Sequence, residues 1–215
     1  AASVPPGSRS AAAAGLDRTS LPSLSGTHVR HHKPSATELS RATVELSPSG
    51  LRVRGNGALD TLDMIQDFVG ERAWFVDRER AVFHRLTATE DRTEAYPNPG
   101  VDSSFLGSEP CGPAPSREQG SGRWRGRKVE VHTCLDGEGV ATAIELLDVE
   151  HGIVVYRHSL NGYVDELHDL RERTFGPGHF HPPRRYRAVD AQEFFHGAPA
   201  LGAFDEPRVE RGARR

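Results

Sequence analysis

The stretch that decides the fold is Lys128–Leu170, KVEVHTCL-DGEG-VATAIELLDV-EHG-IVVYRHSL-NG-YVDELHDL, in which runs of β-forming residues alternate with short turns. Asn161-Gly162 stands between two such runs. Asn-Gly is the strongest short-range sign of a β-hairpin, because a type I′ turn needs positive φ at both central residues. The pattern therefore predicts an antiparallel sheet with strands at Lys128–Leu135, Val140–Val149, Ile153–Leu160 and Tyr163–Leu170.

The first half of the chain carries weaker signs of the same architecture. Alternating apolar residues and intervening turns predict strands at residues 43–46, 51–54, 64–69, 74–76 and 81–86. Leu62, Ile65 and Val69 are also spaced as on one face of a helix, so a short helix over residues 59–68 is the alternative for the third run. Either interpretation gives a mainly β fold.

Composition divides the chain into three parts. Residues 1–36 are rich in Ala, Ser, Pro and Gly without a sustained period, which predicts an extended N-terminal arm. Residues 37–196 are predicted to form one β-rich domain, in which residues 87–122 are a long loop insertion. Residues 197–215 are predicted to be a C-terminal tail.

The last part of the predicted domain differs from the strands before it. Residues 180–190 contain two prolines, which restrict them to a sheet edge or an extended strap. Residues 191–196 could form one helical turn.

Charge and cysteine content narrow the class of protein. A net charge of −3 and a pI of about 6.4 give no electrostatic attraction to nucleic acid. Cys111 and Cys134 suggest a disulfide and hence an oxidising compartment, although two reduced thiols are the alternative. The chain starts at Ala1, as after removal of a signal peptide, and no apolar run approaches the ~20 residues that cross a bilayer. We therefore expect a periplasmic or extracellular protein without a transmembrane segment.

Histidines and carboxylates offer no complete catalytic or metal site. His28, His31 and His32 form one cluster and His179 and His181 a second, but neither has the third or fourth ligand that a metal needs. We expect no metal.

Other motifs of catalysis are also missing. The sequence lacks a Gly-x-Ser-x-Gly elbow, a phosphate-binding loop and a dinucleotide fingerprint, so we expect no catalytic residue and no cofactor. Glu145, Asp148 and Glu150 could act as acid and base, but strand alternation favours a solvated surface for Asp148 and Glu150. An unrecognised hydrolase is a minor alternative. Trp124 among arginines could stack on a nucleic acid base, but packing at the edge of the core is favoured.

Several segments together resemble a known family. They are Gly50–Arg54, Trp74–Asp77, Gly126–Val131, Leu147–Val155 and Phe180–Asp190. In this order they resemble the outer-membrane lipoprotein carrier and sorting proteins, the LolA/LolB-like fold, over about residues 40–190. The resemblance implies a curved antiparallel sheet that forms an incomplete barrel around an apolar cavity, with helices as a lid.

The predicted function follows from this combination. We expect a non-catalytic exported protein that binds an apolar ligand, a lipid or lipoprotein, or a protein partner on the curved sheet. The residues predicted to line the binding face are Phe68, Trp74, Phe83, Val129, Val131, Val155 and Tyr156. Because neighbouring strand residues point to opposite faces, some of these must pack elsewhere. The alternative is a structural subunit of a cell-surface or multi-protein assembly that docks or self-assembles through residues 1–36.

Overall fold

A computed structural model describes residues 21–55, 61–86, 106 and 109–196. Its elements are β1 (Leu24–His32), a 3-10 turn (Lys33–Ser35), β2 (Thr37–Ser47), β3 (Gly50–Gly55), β4 (Leu62–Asp67), β5 (Arg72–Asp77), β6 (Val82–Arg85), β7 (Ser116–Trp124), β8 (Arg127–Leu135), β9 (Ala141–Asp148), β10 (Ile153–Ser159), β11 (Tyr163–Glu172), β12 (Arg187–Ala188) and α1 (Ala191–His196). The strands form one curved, open sheet in the order β12-β6-β5-β4-β3-β2-β1-β11-β10-β9-β8-β7. Neighbours are antiparallel except that β12 runs parallel to β6. The predicted fold class is confirmed.

The hairpins of the second half are confirmed as β8 to β11, with ends that differ from the prediction by at most two residues. The type I′ turn predicted at Asn161-Gly162 is wrong, because Gly162 has a positive φ and Asn161 does not. Residues 62–67 form β4, so the alternative helix at this position is wrong.

An aspartate closes several of the corners. Asp67, Asp77 and Asp148 end β4, β5 and β9, and each Oδ1 atom accepts the backbone N–H groups two and three residues further on, at 2.9–3.4 Å. These Asx-type contacts stop the strand and start the turn. All three side chains are buried, so the prediction of a solvated Asp148 is wrong.

Two strands lie where the sequence predicts irregular segments. β1 falls inside the predicted N-terminal arm, yet it pairs with both β2 and β11 and joins the two halves of the sheet. β7 begins within the predicted loop insertion. Both strands lack apolar alternation, since β1 buries His28 and β7 is mostly polar and exposed. Residues 1–20, 87–105 and 197–215 lie outside the described residues.

The sheet has two faces, which are named here after the segments that cover them. The helix face carries the registered row Val44, Val53, Met64 and Phe75, and Phe194 and Phe195 of α1 pack on it. The opposite face is the strap face, where Ile65, Trp74 and Val76 form a second core beneath Phe180. The core beneath Phe180 lies on β4 and β5, whereas the main core extends from β2–β5 across β1 to Val129 of β8, Val155 of β10 and Leu167 of β11.

The strap, residues 175–186, crosses the strap face close to the sheet backbone. Phe180 lies over Gly50, where an added Cβ would sit 2.5 Å from the Phe180 ring, so only glycine admits this approach. The strap then leads into β12 at the sheet edge and into α1. The helical turn predicted at residues 191–196 is confirmed as α1, and of residues 180–190, predicted as a sheet edge or an extended strap, 187–188 form the edge strand β12.

A disulfide joins Cys111 to Cys134 across 23 positions of sequence. It ties the segment before β7 to β8, and both cysteines are buried with Ala143 in a small third cluster. The predicted disulfide is confirmed.

Candidate binding surface

Two rows of side chains cross the second half of the sheet at adjacent positions but on opposite faces. The outer row, on the strap face, runs Val131, Leu146, Tyr156, Glu166 and Val29 across β8, β9, β10, β11 and β1. The charged row, on the helix face, runs Glu118, His132, Glu145, Arg157, Asp165 and Arg30 from β7 to β1. The strand register alone fixes both rows.

The charged row alternates in sign over its last four members, Glu145, Arg157, Asp165 and Arg30. Arg30 Nε lies 3.0 Å from Asp165 Oδ1, and Arg157 Nε lies 2.7 Å from Glu145 Oε1. His28 Nε2 is 2.9 Å from the same Asp165 oxygen. Asp165 and Glu145 are 0% and 1% exposed, which is tolerated because each carboxylate is paired and hydrogen-bonded.

The segment before β7 covers the helix face, and the charged row helps to hold it there. The backbone N–H of Cys111 donates to Glu145 Oε2 at 2.6 Å. The disulfide to Cys134, on the neighbouring strand, holds Cys111 in this place. The buried carboxylate and the disulfide therefore fix the segment before β7 on the helix face.

The outer row has the opposite character. Val131, Leu146 and Tyr156 are apolar or aromatic, yet all three are half-buried, and Ile144 on the same face is 44% exposed. An antiparallel sheet normally turns its apolar side chains to the core and its charged side chains to water. Here the carboxylates of Glu145 and Asp165 lie deeper than these apolar side chains, although Glu118 at one end of the charged row is exposed and Val29 at the end of the outer row is buried. We call the surface of Val131, Ile144, Leu146 and Tyr156, with Trp124 at its end, the open face.

Aromatic and ionisable side chains meet at the Trp124 end of the open face. The Trp124 ring lies 6.0 Å from that of Tyr156 and 6.4 Å from that of His168. Glu166 Oε2 lies 2.8 Å from both Arg125 Nη2 and His168 Nε2. The end of the open face is thus a polar rim built around one carboxylate.

This surrounding shifts two pKa values. Burial, and then the negative charge of Glu166, raise the pKa of Tyr156, so its hydroxyl stays protonated. Burial also lowers the pKa of His168, and the positive charge of Arg125 lowers it further. The negative charge of Glu166 raises it, but by less. Both groups favour their neutral forms, which suits an apolar contact surface.

The seven residues predicted to line a binding face do not form one surface. Phe68, Val129 and Val155 contribute to the main core. Trp74 and Phe83 belong to the core beneath the strap. Val131 and Tyr156 lie together on the open face. A ligand-binding role for the seven stays a prediction.

The prediction misses Ile144, Leu146 and Trp124 of the open face. In the sequence Ile144 and Leu146 alternate with Glu145, which is typical of a buried apolar face. The sign that could have identified them is the charge at Glu145, Arg157 and Asp165 on the same strands. The Trp124 side chain does pack at the edge of the core, as predicted.

The histidine clusters do not converge on a metal site among the residues that the structure describes. His28 is bonded to Asp165, and His179 Nε2 lies 3.0 Å from Glu45 Oε2. Two other groups have ligand atoms close together. In one, Cys111 and Cys134 are joined in the disulfide; in the other, Asp148 beside His151 already binds Arg127 and its own turn.

A pocket of about 550 Å³ lies under one edge of the strap. Phe175 and Phe180 line it beside Asp67, Arg72 and His181, so its wall is as polar as it is apolar. It differs from the apolar cavity that the resemblance implies. No helix of the described residues is long and apolar enough to span a membrane.

Neither a protein family nor a curated protein matches the chain. Several solved structures are similar to it. An uncharacterized conserved protein from Thermus thermophilus is 10% identical with a TM-score of 0.51, over 81% of this chain and 95% of that one.

The resembled family also occurs among the similar structures. The LolA superfamily protein NE2245 from Nitrosomonas europaea is 10% identical with a TM-score of 0.37, over 77% of this chain and 95% of that one. A putative outer membrane lipoprotein-sorting protein domain from Vibrio parahaemolyticus is 12% identical with a TM-score of 0.36, over 79% and 97%. These similarities concern the fold alone.

Proposed function

We propose that this protein is a non-catalytic exported binding protein that docks a protein partner on its open face. The observation that carries the proposal is the inverted patterning of strands β8 to β11. Val131, Leu146 and Tyr156 are only half-buried and Ile144 is 44% exposed, with Leu146 and Trp124 also packed against the main core, whereas the carboxylates of Glu145 and Asp165 behind them are buried. Contiguous exposed apolar surface on a folded protein marks an interaction site.

The composition of the open face supports a protein partner rather than a lipid. Trp, Tyr and Arg are the residues most enriched at the energetic centres of protein interfaces, and Trp124, Arg125 and Tyr156 meet here. A lipid-like ligand is usually enclosed in a concave apolar pocket. The open face instead presents side chains of one sheet surface with a polar rim at Glu166 and His168.

The remaining parts of the proposal rest on single observations. The disulfide supports a periplasmic or extracellular location, because such bonds persist in oxidising compartments. The alternative of docking through residues 1–36 loses residues 24–32, since β1 pairs within the chain's own sheet.

Site-specific photo-crosslinking tests the partner. A benzoylphenylalanine residue at Ile144, in cells that express the full chain, should give an adduct with one protein. Tyr156→Ala should lower the adduct yield about tenfold or more, because truncation of a hot-spot tyrosine costs about 2 kcal/mol or more. Tyr163→Ala is the matched control, since Tyr163 is an exposed tyrosine of β11 outside the outer row.

Three results would contradict the proposal. They are an adduct with lipid in place of protein, no adduct at Ile144, and an adduct whose yield Tyr156→Ala leaves unchanged while the melting temperatures of the variants agree.

A further inference from the structure

β7 forms one end of the sheet and is exposed over nearly its whole length. Its inner side pairs with β8, and among the residues that the structure describes no strand pairs with its outer side. An open edge of this length presents unpaired backbone groups that can template another strand.

The turn after β7 fixes which backbone groups point outward. Arg125 and Gly126 form a two-residue turn, both with positive φ, between the paired residues Trp124 and Arg127. In such a hairpin the residues that flank the turn bond to each other, and hydrogen-bonded positions then alternate along the strand. Arg123 and Ser121 therefore direct their N–H and C=O groups away from β8.

A bulge between Glu118 and Gly120 changes the alternation of side chains along β7. Because of it, Glu118 and Arg123 lie on the same face, opposite His132 and Lys128 of β8. Residues five apart on a regular strand would face opposite sides. By the same shift Arg117 and Trp124 share the other face.

We propose that two copies of this chain pair antiparallel through β7, with the two-fold axis at Ser121. In this register Ser121 meets Ser121 of the second copy and exchanges both outward backbone hydrogen bonds with it. The bulge then brings Glu118 opposite Arg123, and Arg117 opposite Trp124. Each contact occurs twice, as a two-fold interface requires.

The chemistry of the edge fits a second copy of itself. Opposite charges meet at Glu118 and Arg123, and a cation meets an aromatic ring at Arg117 and Trp124. Gly120 and Gly122 carry no side chain, and an added Cβ at either would meet nothing within 4 Å.

Little in the described chain competes for the charged groups, whereas the Trp124 ring already has the Arg125 guanidinium 5.1 Å from its centre and lies beside Tyr156 and His168. No ion pair of Arg117 or Glu118 occurs within the described residues, and the Arg123 guanidinium donates only to the Gly126 carbonyl of its own turn, at 3.2 Å. In the proposed register the charges on this edge complement those of its own two-fold copy. The dimer is tested separately from the proposed partner, although both use Trp124 and the dimer would place two open faces side by side.

Sedimentation equilibrium of the full chain tests the dimer. One pair of edge strands buries little area, so we expect a weak, reversible dimer. Both monomer and dimer should be detected at protein concentrations of up to about 1 mM. Glu118→Arg and Arg123→Glu should each raise the dimer Kd about tenfold, since each replaces two attractive cross-strand pairs by repulsive ones. The double variant Glu118→Arg/Arg123→Glu should restore the Kd.

Ser121→Pro separates the backbone contribution from the charges. Proline is tolerated on an edge strand where its N–H would face solvent, so β7 should still pair with β8 while dimerisation is lost. A monomer at all concentrations would overturn the proposal. So would single charge reversals with the wild-type Kd, a double variant that does not recover, or a Ser121→Pro variant that still dimerises.

Discussion

Asp165→Asn is expected to lower the free energy of unfolding by about 3 kcal/mol, because it breaks a buried network by removing one partner. Asp165 is 0% exposed and holds His28 and Arg30 at 2.9 and 3.0 Å. Asparagine has the same shape but no negative charge, so His28 and Arg30 lose their charged partner. Urea unfolding followed by circular dichroism measures the change.

Asp169→Asn is the matched control on the same strand. Asp169 is exposed and has a φ of 52°, which asparagine tolerates as well as aspartate. It should change the free energy of unfolding by less than about 0.5 kcal/mol. Equal effects of the two substitutions would show that the charged row does not stabilise the sheet.

Removal of the disulfide is expected to have an effect of similar size. Cys111→Ala/Cys134→Ala opens a loop of 23 positions, and the chain-entropy model gives such a bridge about 3 kcal/mol. The segment before β7 should then be released, and Glu145 should lose the hydrogen bond from the Cys111 N–H. The free energy of unfolding reports the loss of the bridge, and amide exchange at position 111 reports the release of the segment.

Reduction of the wild-type chain provides the control for this variant. If the bond has the stated role, wild-type protein in a thiol reductant should match the double alanine variant in urea. An unchanged unfolding curve on reduction, or two free thiols in a non-reducing mass measurement, would contradict the account.

The sequence predicts the second half of the sheet well because its signals are local. Asn161-Gly162 and the aspartate corners act through the backbone of the next few residues. β7 pairs locally with β8 but escapes prediction because it lacks apolar alternation, whereas β1 escapes it because its stabilising contacts are distant. His28 is buried only because Asp165 lies 137 positions away in sequence and next to it in the sheet.

The candidate surface is predicted poorly for a related reason. Residue type and alternation assign Ile144 and Leu146 to a core, and only the register of five strands shows that the charged residues face inward instead. Trp74 and Phe83 were expected at a binding face, but the strap covers their side of the sheet. Which face a distant segment covers is not encoded in the local pattern of either strand.

Hydroxyl-radical footprinting of the isolated full chain tests the central claim most directly, namely that the apolar row of β8 to β10 is accessible. Rates are normalised to those of the urea-unfolded chain, so that intrinsic reactivity cancels. The account predicts that Leu146 and Tyr156 are modified well above the buried core residues Val53 and Leu51, which are 0% and 2% exposed. Protection of Leu146 and Tyr156 equal to that of Val53 would contradict it, because the chain would then cover this face itself.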